Sequence, residues 1–312
     1  MRRFIILIFL FAFLTVLIYP IYLFVFGSIP GITLPNLTYN LGSAGHLHSR
    51  LQEVKGYKDV DILFLGSSHA YRGFDVRVFE KYGFYTFNLG SSSQTPIQTQ
   101  LLLNRYLNKL NPKLIIYAIS SGPFTSDGVE SAIDIISNDK NDRFSLKMAM
   151  KINHLKVYNT LIYGSIRDIL NLNSSFSQQI HLGDDTYISG GYVEINTERS
   201  YNEYKIQADE SKKEQEEKYR QYQWDAFNKI ISNFKNRNIN YILVCTPVAD
   251  TINIEFDNKI KQYGDYYNFN DIFDFSDDLF YDSNHLKQEG AEIFSASVAD
   301  FVVSLNILSK SE

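Results

Sequence analysis

The sequence predicts an α/β domain built on a parallel sheet and carried behind one N-terminal membrane span. Three observations predict it. An almost unbroken apolar run extends from Phe4 to Phe26. Further on, short apolar segments of strand length alternate with stretches of helical periodicity, the pattern of βαβ units. The two segments richest in reactive side chains follow the first of those strands and precede the last helix.

The apolar run decides the location. About twenty apolar residues cross the hydrocarbon core of a bilayer, and Phe4–Phe26 is interrupted only by Thr15 and Pro20. A cleaved secretory signal has a shorter apolar region and ends in small residues. Here the run ends Val25-Phe26-Gly27-Ser28-Ile29-Pro30, so residues 1–26 read as an uncleaved anchor. Arg2 and Arg3 precede it, and the next basic residue is Arg50. That asymmetry puts the N-terminus in the cytoplasm and the body outside, which in a bacterium is the periplasm or outer face of the membrane.

Residues 27–58 read as a juxtamembrane connector with a short helical patch near His46–Val54. The α/β domain is expected over 59–312. Val60–Leu65 is an apolar run stopping at Gly66, as in a strand buried on both faces. Further strands are predicted at Phe84–Leu89, Lys113–Ile119, Asn240–Thr246 and Tyr266–Phe269. Ile97, Leu101 and Leu102 open a helical period between the second and third.

Residues 141–205 break the rhythm and read as an insertion over the edge or top of the sheet. Helices are expected at Leu146–Ile152 and Leu155–Leu172, then a hairpin turning at Gly190-Gly191. Such an insertion either pads the fold or forms a lid over the site. A long helix follows from Asp209 to Arg237. Glu214–Lys218 and Glu216–Arg220 are favourable i,i+4 pairs in its solvated half. Trp224, Phe227, Ile231 and Phe234 form the stripe that packs on the sheet. Helices near Ile252–Tyr263 and Gln288–Leu305 complete the chain.

Composition narrows the function. With 45% hydrophobic and 21% charged residues, the chain can bury a core rather than stay disordered. A net charge of −5 with no basic stripe argues against nucleic acid. The lone cysteine, Cys245, excludes an intramolecular disulfide and a multi-cysteine metal site, and it lies in an apolar run as a core residue would. His46 and His48 have metal-pair spacing but no third ligand, so no metal is expected. His154 and His181 carry no signal. No phosphate-cradling or dinucleotide motif is present, so no cofactor is expected.

The chemistry concentrates in Leu65-Gly66-Ser67-Ser68-His69 and Tyr281-Asp282-Ser283-Asn284-His285. A serine at the carboxyl end of a parallel strand stands where open α/β sheets bind ligands. It becomes a nucleophile only when a base takes its proton, and the base needs a carboxylate on its other nitrogen. Asp three residues before His can supply base and orienter from a single turn.

These segments resemble the SGNH (GDSL-like) hydrolases over residues 59–305, outside the insertion. The resemblance implies a flavodoxin-like three-layer α/β/α sandwich and a triad of Ser68, His285 and Asp282. Gly66-Ser67-Ser68 stands for the family's first block, and Asp282 and His285 for its Asp-x-x-His turn. Asn88-Leu-Gly-Ser-Ser-Ser93 resembles the second block. There Ser93 stands at the usual glycine that donates to the oxyanion, with Gly90 the alternative if the loop is shorter. In the third block Ser121 replaces an asparagine, so the implied oxyanion hole is Ser68, Ser93 and Ser121.

That altered block and the anchor are similar to the membrane-anchored, DltD-like branch, which is associated with moving acyl groups on cell-envelope polymers. The branch implies an acylated glycan or glycolipid as substrate, and a multi-span acyltransferase as partner. The alternative is a non-catalytic, carbohydrate-binding subunit, favoured by the lost asparagine. A metal-dependent hydrolase is a third, remoter alternative. Around the triad, Asn88 is expected to brace its loop and His69 to point away. Arg72 would hold either an anionic substrate group or a carboxylate at the sheet edge.

Overall fold

Five parallel strands form the centre of the computed structural model, which describes residues 1–201, 218–249, 253–272 and 275–308. They are β1 (Ile62–Leu65), β2 (Thr86–Asn88), β3 (Leu114–Ala118), β7 (Asn240–Cys245) and β8 (Tyr266–Asn268). Their order is β2-β1-β3-β7-β8, every pair parallel. This is the flavodoxin-like order, and its direction reverses between β1 and β3, the crevice where doubly wound sheets place ligands.

Alternation along each strand feeds two cores. Leu63, Leu65, Ile115, Tyr117 and Leu243 face helices Leu47–Glu53, Pro96–Leu110, Gln221–Asn236 and Ile254–Ile260. Ile62, Phe64, Ile116, Ile242 and Val244 face helices Ser68–Gly73, Val76–Lys81 and Gln288–Ser304. Successive side chains of a strand point to opposite faces, so a strand such as Ile62–Leu65, apolar throughout, is buried on both sides. The result is the three-layer α/β/α sandwich.

The insertion builds two things. Helices Arg143–Ile152 and Leu155–Ile169 pack on helices Pro96–Leu110 and Val129–Asn138, thickening one helical layer. The strands β4 (His181–Leu182), β5 (Asp185–Ile188) and β6 (Tyr192–Ile195) form an antiparallel sheet whose β5–β6 turn holds Gly190 at φ 94° and Gly191 at φ 90°. That turn abuts the end of β2. The Asn88 N–H donates to Gly190 O at 2.8 Å, and a Cβ on Gly191 would meet Asn88 O at 2.2 Å.

The N-terminal helix Arg2–Gly27 has a mean hydropathy of 2.8 over its most apolar window, long and apolar enough to cross a membrane. The helix expected from Asp209 begins at Gln221 among the described residues, with Lys218–Arg220 non-helical. Glu214 and Glu216 lie outside the described residues. Trp224, Phe227, Ile231 and Phe234 are all buried, as the stripe requires. Helices Val76–Lys81 and Val129–Asn138 add to the elements expected from the sequence. Asp75 caps the first, its side chain accepting from Arg77 N, and Gly128 at φ 73° precedes the second.

Candidate active site

Gly66 turns the chain out of β1. Its φ is 139°, and a Cβ there would meet Ala118 O at 2.7 Å, so only glycine lets β1 and β3 end this close. Ser67 then precedes the helix Ser68–Gly73, which puts Ser68 on its first turn. From the far end of the domain, the turn before helix Gln288–Ser304 brings His285 beside it. Ser68 Oγ lies 2.7 Å from His285 Nε2.

The rest of that turn fixes the imidazole. His285 Nδ1 lies 3.0 and 2.9 Å from the two Asp282 carboxylate oxygens. An ionised carboxylate only accepts, so Nδ1 carries the proton and the Nε2 lone pair faces the serine hydroxyl. Asp282 Oδ1 also accepts from the backbone N–H of Asn284 at 2.8 Å and of His285 at 2.9 Å. Burial alone would raise the Asp282 pKa, but the His285 ring and these two N–H groups outweigh it and hold the carboxyl below its usual value.

The turn is pinned on both sides. Phe280 bridges Leu286, Lys287 N donates to Leu279 O at 2.7 Å, and the buried Ser283 accepts at its carbonyl from Ala249 N at 3.1 Å. The Tyr281 ring stacks on His285 at 5.5 Å between centroids and 10° between planes. The side chains of His285 and Asp282 are 19% and 26% exposed, so the pair is open to a reactant yet largely shielded from water.

Side chains behind the serine tie its helix to its neighbours. Asn88 is fully buried; its Nδ2 donates to Ala70 O at 2.7 Å and its Oδ1 accepts from Gly90 N at 3.1 Å. It braces the loop. The Gly90 N–H is thereby already engaged by the Asn88 side chain. Gly90 instead serves close packing, since a Cβ there would meet the Ser67 and Gly66 carbonyl oxygens at 3.0 and 3.1 Å.

Ser93, in the same loop, has φ 49°, the left-handed region that favours glycine. Neither its N–H nor that of Ser68 makes a hydrogen bond among the described residues. Both therefore stand free at the carboxyl ends of adjacent strands. The loop carrying Ser93 is held by the Ser91–Gln94–Thr99 hydrogen bonds, at 2.7 and 2.9 Å, and by Tyr71 Oη 3.1 Å from Ser92 Oγ. Ser121 follows β3 as the residue before the short helix Gly122–Thr125.

Two expected neighbours are placed differently. The His69 ring centroid lies 5.4 Å from that of His285, so it turns toward that ring rather than away. Its Nε2 is buried without a hydrogen-bond partner. Burial, with the nearby His285, lowers its pKa to about 3, so His69 is neutral. Arg72 makes a bidentate ion pair with Asp185 at 2.7 and 2.9 Å. The carboxylate it holds comes from the inserted hairpin and not from the main sheet.

Three contributors were not singled out in the sequence: Tyr281, Asp185 and Asp75. Asp75 is fully buried. It binds Arg77, accepts from Gln288 Nε2 at 3.1 Å, and its N–H donates to Ser295 Oγ at 2.8 Å, coupling the end of the serine helix to the helix after His285. Its one sequence signal was an Asp just before an apolar helical run, an N-cap signature.

No family model matches the chain, and no curated protein matches it. Among solved structures, a Bacteroides fragilis chain described as a "putative acylhydrolase" is similar at 11% identity and a TM-score of 0.43, covering 85% of this chain and 99% of its own. The chemistry of the site rests on its own geometry.

Proposed function

We propose that this chain is an SGNH-type serine esterase or O-acyltransferase, held at the outer face of a membrane by its N-terminal helix, that acts on acyl esters of a cell-envelope polysaccharide or glycolipid. The observation that carries the reading is the unbroken chain from Ser68 Oγ through His285 to Asp282, at 2.7 and 2.9 Å. A capping serine and a surface histidine have no need of that alignment.

The reaction follows from the hydrogen bonds. Ser68 Oγ bonds to the acyl carbonyl carbon as its proton passes to His285 Nε2. Asp282, kept ionised, stabilises the imidazolium that results. The N–H groups of Ser68 and Ser93 receive the oxyanion, with the Ser121 hydroxyl a third donor. Collapse expels the sugar oxygen, which takes the proton from Nε2 and leaves an acyl-serine. Water or a second sugar hydroxyl then attacks, passing its proton to Nε2, and Ser68 Oγ departs with that proton. Hydrolysis and transfer differ only in the acceptor. A multi-span acyltransferase would be the partner that supplies acyl groups across the membrane.

A second reading is an accessory subunit that binds envelope glycan without catalysis. Ser121 in place of the family's asparagine favours it. Acyl analysis of the envelope polysaccharide, comparing cells with the intact gene and cells with Ser68→Ala, separates the two. Altered acylation with normal protein levels supports catalysis; an unchanged acyl pattern sinks it.

A further inference from the structure

We propose that the tip between helices Arg143–Ile152 and Leu155–Ile169 rests in the anionic headgroup layer of the membrane, as a second contact beside the anchor. This depends on the reading of Arg2–Gly27 as a span. The anchor helix is docked on the body. Tyr19 Oη donates to Asn159 Oδ1 at 2.9 Å, the rings of Phe24 and Tyr163 lie 5.9 Å apart, and Ser28 Oγ lies 3.2 Å from Tyr163 Oη. Contacts therefore ascend together along both helices, from Tyr19 with Asn159 to Ser28 with Tyr163.

That sense of direction sets the depth. About 17–25 residues cross the hydrocarbon core, and Arg2 and Arg3 can reach back to the headgroups, so a span counted from Arg2 ends near Tyr19, and Tyr19 and Tyr22 suit the aromatic belt of the interface. Asn159 lies level with Tyr19. Leu155, about one helical turn or 5.4 Å nearer the start of its helix, points toward the lipid.

The tip has the surface this position calls for. Leu146, Met150 and Leu155 are 51%, 63% and 53% exposed. From Arg143 to Lys156 the chain carries Arg143, Lys147, Lys151 and Lys156 and no Asp or Glu, although its net charge is −5. Exposed apolar side chains among basic ones, next to a span, match the boundary between acyl chains and anionic headgroups. Such a contact restrains rotation of the catalytic body about its anchor.

The test uses the full chain in phosphatidylglycerol–phosphatidylcholine vesicles, with or without brominated acyl chains, and single environment-sensitive labels at Ile8→Cys, Met150→Cys, Leu155→Cys or Ile169→Cys. The native Cys245 is 6% exposed, and burial pushes its thiol up to about 12, which keeps it unlabelled. Labels at 150 and 155 should lose about half their emission in brominated lipid, as for side chains sunk about 5–10 Å into the boundary. The label at 169, farther up the same helix, should lose little. Lys147→Glu, Lys151→Glu and Lys156→Glu together should restore emission at 150. Quenching at 8 but not at 150 or 155 overturns the proposal and leaves the span standing. No quenching at 8 overturns both. Quenching at 150 that is indifferent to the three charge reversals and to phosphatidylglycerol overturns the headgroup recognition. Cross-linking between copies through 150 shows that a second chain covers the tip, and overturns it too.

Discussion

Ser68 and His285 are 217 positions apart, yet the hydroxyl of one lies 2.7 Å from Nε2 of the other. The closeness follows from topology. β1 ends beside β3 at the reversal of the sheet, and the last helix packs on the same face as the helix Ser68–Gly73. Ser295 Oγ, which donates to Gly73 O at 3.0 Å, and Asp75, which binds Gln288, lock these two helices together.

Replacing Asp282 with asparagine tests the orientation of the base. An amide in that place can donate to Nδ1, which turns the imidazole proton toward Nε2 and away from its role as acceptor. The kcat of the proposed ester cleavage should fall by about 10³–10⁴-fold with little change in KM, on the precedent of such triads. A loss below tenfold in steady-state kinetics would mean that Asp282 does not set the tautomer.

The pair Arg72–Asp185 is a structural prediction. Both side chains are nearly buried, at 12% and 8% exposure. Removing one partner leaves the other charge uncompensated, which costs about 3–5 kcal/mol. Asp185→Leu should therefore lower the denaturation midpoint sharply, and Arg72→Met combined with Asp185→Leu should recover much of the loss. Equal effects of the single and double variants would contradict it.

Asp134 gives the protein a pH-dependent cost. Burial raises its carboxyl to about 6, with the hydrogen bond from Ser43 and the nearby Arg50 opposing. Its folded pKa thus lies above the unfolded value near 3.9. Between about pH 4 and 6 the folded state binds more protons, so stability falls as pH rises through this window. Asp134→Asn removes that proton uptake. Relative to the variant, the wild type should lose about 3 kcal/mol across this window, at about 1.36 kcal/mol for each pH unit. Parallel stability–pH curves for the two proteins would refute it.

The proposed oxyanion hole of Ser68, Ser93 and Ser121 makes a prediction of its own. Ser93 occupies a left-handed conformation at φ 49°, where a non-glycine residue costs roughly 1 kcal/mol. Ser93→Gly should raise stability by about that amount and keep activity, because the N–H is retained. Ser121→Asn should raise kcat by tenfold or more, since one such donor can be worth about 10²-fold. Thermal unfolding and ester turnover report the two effects separately.

How much of this was legible in the sequence depended on how local the signal was. The buried strands announced themselves because Val60–Leu65 and Tyr241–Cys245 are apolar without a break. The Gly-Ser-Ser and Asp-x-x-His segments were visible because glycine, a nucleophile and a short turn are local demands. Asp185 was hidden because its role depends on Arg72, 113 positions away, across an inserted hairpin. The orientation of His69 is not legible for the same reason: adjacency to Ser68 in the chain says nothing of a ring packed beside His285. The helix Val129–Asn138 went unread despite its apolar face because it is short and begins at a glycine rather than at a capping side chain.

Whether His285 makes Ser68 nucleophilic decides what this site does. Fluorophosphonate labelling of the full-length protein, followed by mass mapping of the adduct, measures this directly. The adduct should fall on Ser68 alone and disappear in both Ser68→Ala and His285→Ala. Absence of labelling across the pH range of stable protein, or an adduct that persists in folded His285→Ala, would contradict it.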